Sequence, residues 1–314
     1  ALREQLLAAY YTEGSQAGVA TRKAGEIRRF VQDIAAGDLV LAKVTRIRQH
    51  SRIELDNGRR ARLHVGDEIL VCYGNRYAPD QFEARVPRDL GPCHLVAAGG
   101  VASKMRSKHL SMKGATEIEP IGLVGDGNAQ RINLRQTRIQ RPVNRQQQRP
   151  HTVAVVGTSM NAGKTTTAAH LIKGMDRAGL RVGAAKITGT GSGGDLWFMF
   201  DSGADPVLDF TDAGHATTFR SDQTELAVVL HTLSAVFADH DLDVMVLEIA
   251  DGLMQTETAT LLQSALFAQR VDQVLFAAGD SMGAVAGYEW LQARNIPVSG
   301  ISGALTASPL AVRD

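Results

Sequence analysis

The residues best suited to chemistry lie in one run, His151–Met175, HTVAVVGTSMNAGKTTTAAHLIKGM. It begins as a buried strand, continues as a glycine-containing loop ending in Gly-Lys-Thr-Thr, and ends as an amphipathic helix. That order is the order of a phosphate-binding loop. Gly157 and Gly163 let the backbone approach an anion, and a helix starting near Lys164 aims unpaired N–H groups and its positive dipole end at the phosphates. Lys164 is then placed to reach the β- and γ-phosphates, and the Thr165 hydroxyl to ligate Mg2+. The expected nucleotide cradle is Gly157, Thr158, Ser159, Met160, Asn161, Ala162, Gly163, Lys164, Thr165 and Thr166. One residue more separates the two glycines than GxxxxGK(S/T) allows, so the strict pattern holds only with Thr158 in the place of its first glycine. The competing reading is a strand-to-helix turn with a chance Gly-Lys-Thr.

The elements that position this loop follow from the periodicity. Apolar runs at Thr152–Val156, Val182–Ile187, Val244–Ile249, Gln273–Ala278 and Val298–Ser302 read as strands, with helices near Lys164–Ala178, Gln223–Ala238, Thr256–Gln269 and Ala284–Arg294. Such alternation predicts a mostly parallel sheet flanked by helices, with ligand at the carboxyl ends of the strands. Other candidates are judged against that edge. Lys186 closes a strand and suits a carboxylate or a transferring phosphoryl group. The glycine-rich loop after it offers Thr188 and Ser192 as substrate contacts. Glu248 ends the run DVMVLEIADGL, where a charge needs a cation or hydrogen-bond donors, and is the expected magnesium acid. Asp195 is the second metal candidate. Asp251 and Thr217 are candidates for substrate, while Asp201, Asp205 and Asp209 read as ordinary helix or loop acids.

Composition excludes several classes. The 314 residues suggest about two domains, and 44% hydrophobic residues supply a core. A net charge of +1 gives no global field favouring nucleic acid or membrane, so neither is expected as a partner. Two cysteines, Cys72 and Cys93, provide no disulfide framework and no metal spacing, which fits a cytoplasmic protein. Helical spacing over residues 1–36 gives way at Leu39 to short alternating runs, with Asp56-Asn57-Gly58 as a hairpin turn. The expected organisation is N-terminal helices plus a small β-rich, barrel-like domain over 1–134, a basic linker over 135–150, and a nucleotide-binding α/β domain over 151–314. No Ser-His-Asp or Cys-His arrangement competes with the phosphate loop.

With these residues assembled, Thr152–Leu310 resembles dethiobiotin synthetase and its P-loop relatives, among them the molybdopterin-guanine-dinucleotide adaptor proteins. GTSMNAGKT has the length and frame of that family's GTDxxVGKT. The family's strand-end lysine falls on Lys186, its magnesium acid on Glu248, its other magnesium aspartate on Asp195, and its later glycine-bearing strand end on Ala277–Val285. Departures are Ser159 in place of a frequent Asp, Ala250-Asp251 after the acid, and ISGALTASP where the family reads adenine with an Asn. The resemblance implies an ATP- and Mg2+-dependent ligase that phosphorylates a carboxylate or carbamate of a small molecule, with Lys164 and Lys186 catalytic, in a homodimer. Three alternatives stay open: an N-acyltransferase on the same fold, resembling D-glutamate N-acyltransferases and using acyl-CoA; a nucleotide-dependent switch or adaptor; and a non-enzymatic binding module in which the β-rich domain recognises a partner and the nucleotide is structural.

Overall fold

A computed structural model describes residues 34–126, 130–140 and 149–313. Of the expected N-terminal helical region, residues 1–33, and of the expected linker its middle half, 141–148, lie outside the described residues. The chain divides into two compact units, the first Ala1–Arg138 with Thr190–Gly193 and Gly214–Phe219, the second the remainder.

Unit 1 is built from short strands: β1 (Leu39–Arg46), β2 (Arg52–Glu54), β3 (Arg60–Arg62), β4 (Glu68–Tyr73), β5 (Arg76–Tyr77), β6 (Phe82–Arg85), β7 (Cys93–Ala97), β8 (Val101–Lys108) and β9 (Thr116–Leu123). The main sheet runs β4-β1-β9-β7-β8-β6-β5, and β4 also pairs with β8. Strands β4, β1, β9, β7 and β8 therefore close on themselves as a barrel, the β4–β8 seam parallel at Cys72↔Val101 and the other pairs antiparallel. Alternation along the strands drives the closure: Val40, Ala42, Val44, Val71, Tyr73, Leu95 and Ile118 point into one core while Lys43 and Thr45 face water. The β2–β3 hairpin turns at Gly58, whose φ of +80° is open to glycine. Two later segments fold with this unit. Gly193 donates its N–H to both carboxylate oxygens of Glu54 at 3.1 Å, and Gly191 donates to the Ala216 carbonyl at 2.9 Å.

Unit 2 carries a six-stranded parallel sheet ordered β12-β11-β13-β10-β14-β15. Its strands are β10 (His151–Gly157), β11 (Val182–Thr188), β12 (Val207–Asp209), β13 (Val244–Ile249), β14 (Gln273–Ala277) and β15 (Val298–Ser302). Seven helices are described: α1 (Lys164–Arg177), α2 (Gly194–Asp201), α3 (Gln223–Ala238), α4 (Thr256–Leu262), α5 (Ala265–Arg270), α6 (Ser281–Gln292) and α7 (Pro309–Arg313). Two apolar clusters, one on each face of the sheet, explain the almost unbroken apolar strands: Ala154, Leu247, Phe237 and Phe276 lie in one, Val153, Val155, Ile172 and Val246 in the other. This is a P-loop NTPase α/β architecture, with β10 central and its loop running into α1.

Two of the expected helices differ from the sequence reading. The helix expected over Thr256–Gln269 is broken at Ser264, whose hydroxyl caps α5 by accepting the Phe267 N–H at 3.1 Å. The helix expected from Ala284 starts three residues earlier, because Asp280 accepts the Gly283 N–H at 2.7 Å and caps it. No described helix is long and apolar enough to cross a membrane.

Candidate functional site

The loop from Gly157 to Gly163 is shaped by its neighbours as much as by its own sequence. Asn161 and Gly163 adopt positive φ, +63° and +97°. Thr158 donates its N–H to the Ala277 carbonyl at 2.9 Å, and the Gly157 carbonyl accepts from Leu253 N at 3.1 Å. From the far side Ala304 donates to the Ala162 carbonyl at 2.9 Å. Two glycines absent from the sequence reading make this approach possible. A Cβ on Gly252 would lie 2.3 Å from the Thr158 oxygen, and one on Gly303 would lie 2.3 Å from the Ala162 oxygen. Neither glycine carries a sequence signal beyond its type, since the requirement arises from a close approach of distant backbone.

Lys164 opens α1 and is buried; its Nζ donates to the Ser159 carbonyl at 2.7 Å, folding back over the loop. Burial holds this amine below the usual lysine range, against the attraction of Glu248 and Asp251. The next residue, Thr165, lies beside both metal candidates: its Oγ1 is 2.9 Å from Glu248 Oε1 and 3.3 Å from Asp195 Oδ1. Lys186 Nζ donates to Asp195 Oδ2. Burial alone would lower Lys186, but Glu248, Asp195 and Asp209 surround it and raise it above the ordinary lysine value, so it is charged.

Strand register explains how acids and base meet. Lys186 on β11 stands opposite Glu248 on β13 and opposite Asp209 on β12. In a parallel sheet, residues in register share a face, so an acid-base-acid row crosses three adjacent strands. Asp209, read from sequence as an ordinary loop acid, is therefore a member of the site, 6% exposed, with its Oδ1 accepting the Thr211 N–H at 2.7 Å. Only the structure shows that it ends a strand, at the edge where ligands bind. Glu248 is 1% exposed, and its Oε2 has no hydrogen-bond partner. Burial pushes its carboxyl up, opposed by Lys186.

The substrate candidates fare differently. Thr188 is 1% exposed and its hydroxyl donates to the Ala250 carbonyl, which also accepts from Thr258 Oγ1 at 2.7 Å, so it supports the loop after β13. Asp251 lies on that loop, with its N–H donated to Gln255 Oε1 at 3.1 Å. Ser192 and Thr217 fold with unit 1.

A divalent cation fits this donor set. One hydroxyl and two carboxylates meet at the start of α1, and one carboxylate oxygen is buried without a partner, the condition a cation relieves. Among the described residues no group of three or more His, Cys, Asp or Glu side chains would hold a metal by itself. Such a cation would depend on the threonine and on ligand oxygens.

No protein-family model and no curated protein matches the chain. Among solved structures it is similar to the signal recognition particle receptor FtsY from Elizabethkingia anophelis, at 20% identity over 49% of this chain and 50% of that one, with a TM-score of 0.36. It is also similar to the kinase domain of the Escherichia coli tyrosine kinase ETK, at 13% identity over 49% of this chain and 67% of that one, with a TM-score of 0.37. A third is the Signal Recognition Particle 54 kDa protein from Aeropyrum pernix K1 in complex with GDP, at 16% identity over 49% and 42%, with a TM-score of 0.28. The chain spans about half the length of the FtsY structure. The P-loop fold rests on the sheet order and on the loop between β10 and α1.

Proposed function

We propose that the chain is an ATP- and Mg2+-dependent enzyme of ligase type, activating a carboxylate or carbamate of a small amino- or carboxyl-bearing molecule by phosphoryl transfer. The observation that carries this reading is the convergence of Lys164, Thr165, Lys186, Asp195 and Glu248 at one sheet edge, with a buried carboxylate oxygen left over. Loop amides and Lys164 would hold the β- and γ-phosphates. Thr165, Glu248 and Asp195 would hold Mg2+, which neutralises phosphate charge when bound. Lys186 would align the acceptor oxyanion, its amine held in place by the row of carboxylates. Catalysis would rest on positioning and electrostatics, without a covalent protein intermediate.

Calorimetric titration of ATP, GTP and acetyl-CoA with Mg2+, on the intact chain and on Lys164→Ala, tests this. Magnesium-dependent ATP binding, lost in the variant, is expected; a screen of small carboxylates and amines for phosphate release then identifies the acceptor. Binding of acetyl-CoA alone would replace the ligase reading with an acyltransferase, and binding of GTP without turnover of any small acceptor would replace it with a nucleotide switch.

A further inference from the structure

The net charge of +1 is a sum of two opposite charges. Residues 1–138, which supply every Lys, Arg, Asp and Glu of unit 1, carry 22 basic against 15 acidic side chains; the rest of the chain carries 12 against 18. The balance that argued against a polyanionic partner therefore conceals a basic unit.

That basic charge is not spread evenly. On the barrel strands, cations stand opposite anions: Lys43 is in register with Glu68 on one side and Glu119 on the other, and Arg46 with Glu117. Arg85, in register with Lys104, is paired instead to Glu83 at 2.8 Å. The β2–β3 hairpin keeps the pattern at Glu54 and Arg60 and breaks it at its open end. Arg52 and Arg62 are directly opposite each other, both exposed, and Arg59 and Arg60 follow the turn, also exposed. Like charges directly opposite on two strands oppose hairpin formation. The one acid within the hairpin strands, Glu54, shares the arginine face in register with Arg60, but it is recessed and buried, holds the Gly193 N–H, and lies 4.0 Å from Arg60 Nε. An external anion would relieve this repulsion.

We propose that the β2–β3 hairpin is a binding site for the phosphodiester backbone of a nucleic acid, with Arg52, Arg60 and Arg62 as its phosphate contacts. Arg60 and Arg62 are two residues apart on one strand face, about 6.8 Å, which is twice the roughly 3.4 Å rise per nucleotide of one strand. Arg52 extends the row across the ribbon. An anionic membrane suits the hairpin less well: its other face carries Ile53 and Ala61, which are half-buried, with Ile53 packed on the barrel core, so no exposed apolar face accompanies the arginines.

The test is fluorescence anisotropy of a labelled 20-nucleotide single strand and of the corresponding duplex with the full chain, at 50 and 200 mM salt. Three phosphate contacts predict a slope of about −2 for the single strand and about −2.7 for the duplex, a weakening of roughly 20- to 40-fold across that range; the larger slope identifies the form bound. Arg52→Glu is the informative variant, because it turns the repelling pair into an attracting one. It is expected to leave the melting temperature unchanged or higher while affinity falls at least tenfold and the slope shrinks. Arg52→Lys keeps the charge and is expected to retain affinity within about threefold. Arg313→Glu, an equal charge change in unit 2, is expected to be neutral. Absence of binding at 50 mM salt, binding indifferent to Arg52→Glu, or retention only by vesicles of phosphatidylserine would each overturn the proposal. None of these readouts depends on the nucleotide assigned to unit 2.

Discussion

Gly303 gives the most direct test of how the phosphate loop is built. Its φ of +102° and ψ of −163° lie in a region essentially closed to residues with a Cβ, at a cost of about 1–3 kcal/mol. A methyl group there would stand 2.3 Å from the Ala162 oxygen and 2.7 Å from both Ala278 N and Ala278 O. These are backbone atoms of buried residues, so relief requires the loop itself to move, and overpacking of this kind adds about 1–3 kcal/mol. Gly303→Ala is therefore expected to destabilise unit 2 by about 2–6 kcal/mol and to weaken nucleotide binding at least tenfold, since the displaced amides are the proposed phosphate ligands. Both tryptophans, Trp197 and Trp290, belong to unit 2, so intrinsic fluorescence in a urea titration follows that unit alone. Gly174→Ala is the matched control: it is exposed within α1, a Cβ there meets nothing within 4 Å, and alanine stabilises a helix interior by about 1 kcal/mol. An unchanged urea midpoint together with unchanged nucleotide affinity in Gly303→Ala would refute the account of the loop as held by close backbone approach.

Three further outcomes follow from the same geometry. Glu248→Gln removes a buried charge whose Oε2 is unpartnered, so thermal stability without ligand is expected to hold or rise, while calorimetry shows nucleotide affinity no longer responding to Mg2+. Asp272 anchors the start of β10 by accepting from both terminal nitrogens of Arg149 at 2.6 Å and from the Thr152 N–H at 2.8 Å, and the Arg149 hydrogen bonds pull it down from 3.8 to about 2. A carboxyl depressed on folding stabilises above its unfolded value and loses that contribution as pH falls toward the folded one; discounted for the partly exposed Arg149, the effect is about 1 kcal/mol. Asp272→Asn should thus lower the melting temperature at pH 7 and flatten the decline between pH 4 and pH 2, a profile calorimetric melts resolve. Gly252→Ala, with its Cβ 2.3 Å from the Thr158 oxygen, should weaken nucleotide binding from the opposite side of the loop, read by the same titration.

Local signals made the central strand-loop-helix legible. Five apolar runs separated by helical ones fix a parallel sheet, and Gly-Lys-Thr after the first of them fixes its active edge. Less legible were elements whose existence depends on distant partners. The strand Val207–Asp209 is three residues long, follows Pro206, and pairs only on its β11 side, so no periodicity could show it. Helix Gly194–Asp201 presents Leu196, Trp197, Phe198, Met199 and Phe200 in succession, without the polar positions that mark an amphipathic pattern. Gly252 and Gly303 are ordinary glycines until the loop they touch is in place. Asp209 became visible only through its register with Lys186. The charge of the β2–β3 hairpin was open to counting, but a total over the whole chain averaged it away.

The balance of charge at the sheet edge leads to a last expectation. Lys186 is held between Glu248 and Asp209 and bonded to Asp195, so its positive charge is already met. Lys164 feels both Glu248 and Asp251. Carboxylates thus already stand beside both ammonium groups before any phosphate arrives. A polyphosphate alone would approach the Glu248 and Asp195 carboxylates: one unit charge at about 4 Å costs about 4 kcal/mol at an effective dielectric of about 20, nearly three powers of ten in affinity. A divalent cation removes the repulsion. Chelation with EDTA is therefore expected to weaken nucleotide binding by roughly 100-fold or more, and Glu248→Gln, which deletes one of these charges and one metal ligand, should abolish most of that penalty. Equal affinity in EDTA and in Mg2+ would mean that the carboxylates at this edge do not face the phosphates, and the arrangement proposed for Thr165, Asp195 and Glu248 would fall with it.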